Sequence, residues 1–216
     1  MNYKNEWEDS YGRGENRILY PKEEIVKFLN RFIRKKIGPE RFLDKIKITA
    51  CSRALDLGCG IGTQTELLRE FGFLSYGADI TEKAISFANE YYPQNKYVLL
   101  GNQAQLPFDD DFFSIAICDS VLDSMPFEIA KKYMDELERT VTDKVFLNLI
   151  YSPKGEEVIV EGQHELGTIQ SYFSNDKFLD LIATTSFRVC QMNLNTVSDL
   201  LTNKTSQRWN IVLTKL

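Results

Sequence analysis

The sequence predicts an α/β fold: a doubly wound, seven-stranded sheet, mostly parallel, with a C-terminal antiparallel strand. Three observations predict it. Between residues 53 and 150, short apolar runs alternate with amphipathic stretches of roughly ten residues, the rhythm of parallel βαβ units. The first of these runs stops at alternating glycines and is followed directly by a helical pattern. The last two apolar runs, 187–195 and 209–216, are joined by a polar stretch with no helical pattern, so they should pair antiparallel.

The elements follow in order. Before the sheet, Ile25, Phe28, Leu29, Phe32, Ile33 and Ile37 recur at helical spacing, with Pro21 at the start and Gly38-Pro39 at the end. That predicts one helix of four turns, with Lys27, Arg31, Arg34, Lys35 and Lys36 on its solvated face. Residues 53–57 are the first sheet strand and 63–71 the helix after it. Residues 74–79 are the second strand, and Thr81 is placed to cap a helix reaching residue 91. Residues 97–100 form the third strand. Residues 114–118, continuously apolar as a strand buried on both faces should be, form the fourth. A helix over 129–141 leads to the fifth strand at 145–150. Residues 155–172 read as irregular, and 175–184 as a helix.

Composition narrows the class. The chain has 216 residues, 43% of them hydrophobic and 12% aromatic, enough for one domain with a full core. No apolar run approaches the ~20 residues of a membrane span, and the polar N-terminus does not read as a signal peptide. A net charge of −5 argues against a general nucleic-acid binder. Cys51, Cys59, Cys118 and Cys190 form no CxxC pair, and there is one histidine, so a Cys/His metal centre is not expected. Asp109-Asp110-Asp111 reads as a solvated turn. The expectation is a single cytoplasmic domain over 1–216, monomer or homodimer, in three parts: 1–45, 50–150 and 151–216.

The residues that carry chemistry start with Ala54-Leu55-Asp56-Leu57-Gly58-Cys59-Gly60-Ile61-Gly62-Thr63. Glycine suits a sharp strand-to-helix turn against which a ligand lies without a Cβ in the way. The helix that follows offers free N–H groups and a positive dipole end. The spacing is G-x-G-x-G with an acid two residues before it, not the G-x-G-x-x-G of a dinucleotide site. It resembles motif I of the class I S-adenosylmethionine-dependent methyltransferases, of the small-molecule type. Asp79, at the end of the second strand, can accept from both hydroxyls of a ribose. Gly101-Asn102-Gln103-Ala104-Gln105-Leu106-Pro107-Phe108 is similar to the family's segment after the third strand, with Asn102 where an acid is common.

The resemblance covers 54–126 specifically and implies a Rossmann-like fold, S-adenosyl-L-methionine as cofactor, and O- or N-methylation of a small-molecule acceptor without nucleic acid or membrane. Under it, the glycine loop with Gly58, Cys59, Gly60 and Gly62 holds the methionine end, Asp79 the ribose, and Ile80 and Asn102 frame the adenine, with Asp56, Gln103 and Asp119 also binding the cofactor. Asp119 to Met125 runs toward the transferred methyl group. Relatives often have a histidine near Ser124; here Asp123 and Asp119 are the nearest candidate acids or bases. His164 joins them as the one side chain whose ordinary pKa lies near neutrality, in a stretch that also holds Glu165 and Gln170. Trp7, Tyr11, Gly12, Arg13, Gly14, Arg17 and Tyr20, which show no helical or strand period, resemble a lid, with Tyr11 and Tyr20 against the cofactor.

Two rivals stand beside this reading. A nicotinamide-dependent reductase would need a different glycine spacing; Tyr92 and Lys96 form a YxxxK, but Pro93 between them breaks the helical face. A non-catalytic S-adenosylmethionine-binding protein would keep the cofactor residues and lack turnover.

Overall fold

The computed structural model describes residues 3–101 and 103–215. Helix α1 (Tyr3–Gly12) occupies the stretch expected to be an irregular flap. The missed signal is Trp7 and Tyr11, four residues apart and therefore on one helical face. Helix α2 (Glu23–Phe28) continues as a π-helical turn, Leu29–Ile33, and there the helix ends. This corrects the four-turn helix. Residues beyond Ile33 form β1 (Arg34–Gly38), which turns through Pro39-Glu40 and pairs antiparallel with β2 (Arg41–Asp44). The helical stripe is real as far as Ile33. The Asn30 side chain then takes the Lys36 N–H at 3.0 Å, and Arg34 bonds Asp44 at 2.7 Å and the Phe71 carbonyl at 2.8 Å, all of which favour the hairpin. Gly38-Pro39 marks the hairpin turn, not a helix stop.

The sheet elements lie close to where the sequence puts them. They are β3 (Arg53–Leu57), α3 (Thr63–Glu70), β4 (Leu74–Asp79), α4 (Glu82–Tyr91), β5 (Lys96–Leu99), β6 (Phe113–Asp119), α5 (Phe127–Thr140) and β7 (Val141–Ile150). The stretch expected to be irregular holds a small antiparallel pair, β8 (Glu157–Ile159) and β9 (Ile169–Ser171). Then come α6 (Asn175–Ile182), β10 (Phe187–Asp199) and β11 (Lys204–Lys215).

The large sheet has seven strands in the order β10-β11-β7-β6-β3-β4-β5. β5, β4, β3, β6 and β7 are mutually parallel; β11 is antiparallel to β7, and β10 to β11. Only β11 therefore runs against the rest. Neighbouring residues of β6 face opposite sides, as a strand dictates. Ile115 and Ile117 pack with Ile25, Phe28, Leu67 and Leu68 of α2 and α3. Ala116 and Cys118 pack with Met134 and Leu137 of α5 and Phe178 of α6. Helices thus cover both faces.

The order reverses between β3 and β6, whose carboxyl ends part there, and open α/β sheets bind ligands in such a crevice. Since β11 is antiparallel, its beginning lies at this same edge: Arg208 pairs with Ile150, the last residue of β7. No helix among the described residues is long and apolar enough to cross a membrane.

Candidate active site

The glycine loop leaves β3 and enters α3 with Gly58, Gly60 and Gly62 at φ +68°, +53° and +86°. Only glycine adopts such angles at low cost. Space imposes the same choice at Gly58, where a Cβ would meet Val121 Cγ2 at 2.2 Å.

The loop is tied to the next strand. The Gly60 N–H donates to Asp79 Oδ2 at 3.0 Å, and the Thr81 N–H and hydroxyl donate to Asp79 Oδ1 at 2.9 and 2.8 Å. Burial nevertheless raises the Asp79 pKa, against the pull of those donors. Thr81 stands at the N-cap position of α4 but does not cap it with its side chain, because its hydroxyl is committed to Asp79. Glu8 of α1 serves instead: its carboxylate accepts from the backbone N–H groups of Glu82, at 2.5 Å, and Lys83, at 3.2 Å. A carboxylate at a helix N-terminus meets free N–H groups and a favourable dipole, so α1 docks on α4 by supplying its cap.

Two chambers lie under α1. The larger, about 360 Å³, is mostly apolar, with Ile80, Leu100, Ala104, Ile129 and Tyr133 among its walls and Asp79 the carboxylate in it. The smaller, about 270 Å³, is polar. Trp7, Tyr11, Gly58, Ser120, Val121 and Ser124 line both, so the chambers adjoin at the end of β6. The polar chamber carries four carboxylates, Asp56, Asp119, Asp123 and Glu165, against two cations, Lys22 and Arg208.

Its groups are held by one another. Lys22 Nζ lies 2.7 Å from Asp119 Oδ2. Arg208 pairs with Asp123 and donates to Asn148 Oδ1 at 2.6 Å and Ser120 Oγ at 2.8 Å. Ser120 sits at φ +60°, a costly conformation for a residue with a Cβ, of the kind that gathers at functional sites. Asp123 is 3% exposed; its Oδ2 accepts from the Ile150 N–H at 2.8 Å, and its Oδ1 has no hydrogen-bond partner among the described residues. Burial raises its pKa, while Arg208 pulls it back down. Asp56 accepts from the Thr65 hydroxyl at 2.7 Å, and burial, aided by Asp119 and Asp79, pushes its pKa up to about 7.

The residues singled out in the sequence fall into four groups. Asp56, Gly58, Cys59, Gly60, Asp79, Ile80, Tyr11, Asp119 and Asp123 all line one or both chambers. Gly62 lies behind the loop, against the Tyr97 ring. His164, Tyr20 and Gln103 line neither chamber: the His164 side chain is 65% exposed, Tyr20 is 71% exposed, and Gln103 is also exposed. Asn102 lies outside the described residues. Next to His164, Glu165 at φ +57° faces the polar chamber, as does Gln170.

Lys22 and Arg208 were not foreseen as site residues. Lys22 looked like a helix start, and Arg208 fell one residue before the last expected strand. Only the antiparallel placement of β11 brings it to the cleft. Tyr133 and Ile129 carried a usable signal, being four apart on α5.

An open parallel sheet with its glycine loop at the reversal point, a carboxylate ending the second strand and a cleft along the fourth defines the Rossmann-like fold of class I S-adenosylmethionine-dependent methyltransferases. Residues 55–147 match the family described as methyltransferase domain. An uncharacterized protein of Haemophilus influenzae is 30% identical over 95 residues, a match spanning 41% of this chain and 38% of that protein.

Two solved structures share the fold. An S-adenosylmethionine-dependent methyltransferase from Anabaena variabilis aligns at a TM-score of 0.67 and 15% identity, covering 100% of this chain and 96% of the other. Magnesium protoporphyrin IX methyltransferase from Synechocystis, with bound S-adenosylhomocysteine, aligns at 0.57 and 18% identity, covering 78% and 76%. The match to the methyltransferase-domain family thus lies on residues 55–147, and the likeness to these solved structures is one of fold.

Proposed function

We propose that this chain transfers a methyl group from S-adenosylmethionine to an oxygen or nitrogen of a small-molecule acceptor. The observation that carries the reading is the pair of adjoining chambers, one apolar with a single carboxylate, the other polar with an excess of carboxylates. The residues fit the cofactor by chemistry. A ribose diol brings two O–H donors, and Asp79 is a fixed acceptor in a mostly apolar space. An adenine ring finds Ile80, Leu100 and Tyr133. The methionine end meets Gly58, Gly60 and Tyr11, and its positive charges meet Asp56 and Asp119.

When bound, the sulfonium supplies an already activated methyl group. The protein's tasks are then alignment and exclusion of water. Trp7 and Tyr11, on α1, close both chambers from above. Asp123 is the group placed to take a proton from the acceptor, since Oδ1 is unpartnered and the residue faces the polar chamber. The enclosure suits a small molecule, as both chambers lie near the lower end of the ~300–1,000 Å³ usual for ligand pockets.

The test is calorimetric titration with S-adenosylhomocysteine and, separately, NADH. S-adenosylhomocysteine is expected to bind and NADH not to. Asp79→Ala should keep the fold and weaken S-adenosylhomocysteine by about 1.5–3 kcal/mol, the range for a charge-assisted hydrogen bond. Binding of NADH alone would put the reductase in place of the methyltransferase. Unchanged affinity in Asp79→Ala would remove Asp79 from the ribose site.

A further inference from the structure

Asp123 is gripped from one side only. Its Oδ2 takes both the Ile150 N–H and the Arg208 guanidinium, while Oδ1 is buried and unpartnered among the described residues, in a residue that lines the polar chamber. A buried carboxylate oxygen without a donor is costly, so a ligand entering this chamber is matched if it brings an O–H or N–H. Arg208 is itself held by two further acceptors. Asn148 Oδ1 takes its Nε–H, and Ser120 Oγ accepts from Nη2, the same nitrogen that meets Asp123. Asn148 is fixed in turn, since its amide nitrogen donates to Asn210 Oδ1 at 2.7 Å, across β7 and β11. The guanidinium therefore sits in a rigid polar frame at the edge of the sheet, well suited to hold a carboxylate in one orientation.

We propose that Arg208 is a positioning residue for the methyl-transfer site: it fixes the Asp123 carboxylate so that Oδ1 is presented to the proton of the acceptor's reacting atom. The inference rests on the reading of Asp123 as proton acceptor. Other charged groups bear on Asp123. Asp119, at the end of β6, opposes its ionisation but is itself neutralised by Lys22. The Cys118 thiol, on the same strand, is pushed well up by burial and stays neutral. Glu165 faces the same chamber from the loop before β9. Arg208 is the one cation in direct contact with Asp123 among the described residues.

The experiment reads Asp123 directly and needs no acceptor. Protein labelled with ¹³C at its aspartate carboxyls is titrated by NMR, with the Asp123 resonance identified by its loss in Asp123→Asn. Wild type, Arg208→Gln and Arg208→Lys are compared, and S-adenosylhomocysteine affinity is measured for each by calorimetry. In Arg208→Gln the Asp123 midpoint should move up by about 1–3 pH units, the range over which a neighbouring opposite charge acts on a carboxylate. Arg208→Lys should recover most of that shift. A midpoint unmoved in Arg208→Gln, or equally displaced in both variants, would overturn the proposal and leave Arg208 a sheet-edge packing residue. Should Arg208→Gln not fold, Asn148→Ala, which frees the guanidinium while keeping its charge, is read in its place: a displaced midpoint supports the proposal and an unchanged one overturns it. Failure of wild type to bind S-adenosylhomocysteine is a separate result, against the methyltransferase reading and not against the Arg208–Asp123 coupling.

Discussion

Asp56→Asn is expected to stabilise the protein at pH 8 by roughly 4 kcal/mol more than it does at pH 4, the free-energy equivalent of the Asp56 shift. The native state holds the Asp56 carboxyl at about 7, against an ordinary 3.8, because burial disfavours the anion more than the Thr65 hydroxyl favours it. A carboxyl with a raised native pKa stabilises the fold while it is protonated. That contribution is whole below the unfolded value and is lost as the pH rises from about 4 through about 7. Asparagine is neutral throughout and keeps an oxygen for Thr65. Urea unfolding of wild type and variant at pH 4, 6 and 8 gives the difference. A constant offset across that range would mean that Asp56 is ionised in the native state throughout.

Removing residues 1–20 should weaken S-adenosylhomocysteine about 100-fold or more yet leave the sheet folded. The two large apolar clusters on the sheet faces contain no residue before Ile25. The cluster that would be lost is small: Tyr11 with Ile61 and Ala84, and Phe87 beside them. Both chambers would lose Trp7 and Tyr11, their shared cover, and α4 would lose the Glu8 cap. Far-ultraviolet circular dichroism and thermal unfolding monitor the sheet, and calorimetry the affinity. Trypsin adds a second measure, since cleavage after Arg13 or Arg17 should slow when S-adenosylhomocysteine is bound. Undiminished affinity in the truncated protein would show that α1 is only a packed arm.

Periodicity carries far in this chain where one rule governs a segment. The run at 114–118 reads as a doubly buried strand because helices cover both of its faces, and β6 is that strand. It fails where two local solutions compete. Lys35, Lys36 and Ile37 fit the end of an amphipathic helix as well as a hairpin arm, and tertiary bonds from Asn30 and Arg34 decide between them. Thr81 shows a subtler limit: its position is a cap, but its hydroxyl is taken by Asp79 and the capping group arrives from Glu8, 74 positions from the Glu82 N–H that it accepts.

For the cleft, the residues near the glycine loop were legible because a contiguous motif places them. Lys22 and Arg208 were not, since each meets its carboxylate across the fold, 97 and 85 positions from it by residue number. His164 shows the converse. Residue type alone made it a candidate, and a left-handed turn at Glu165 points the neighbouring side chain into the chamber instead.

The two chambers draw on the chain in different ways, and this bears on how such a protein can change its substrate. Apart from Lys4, Trp7 and Tyr11, the apolar chamber is built from one continuous stretch, residues 57–133, which also carries the loop and strand order that make the fold. The polar chamber borrows single side chains from places far apart in sequence: Lys22 before α2, Glu165 and Gln170 around β9, Arg208 on β11. Substitutions at those outlying positions meet neither the strained glycines nor the Asp79 bonds. On the proposed reading, acceptor preference can drift by single changes at Lys22, Glu165 and Gln170 while the nucleoside end stays constant, an arrangement that favours divergence of new specificities from one scaffold.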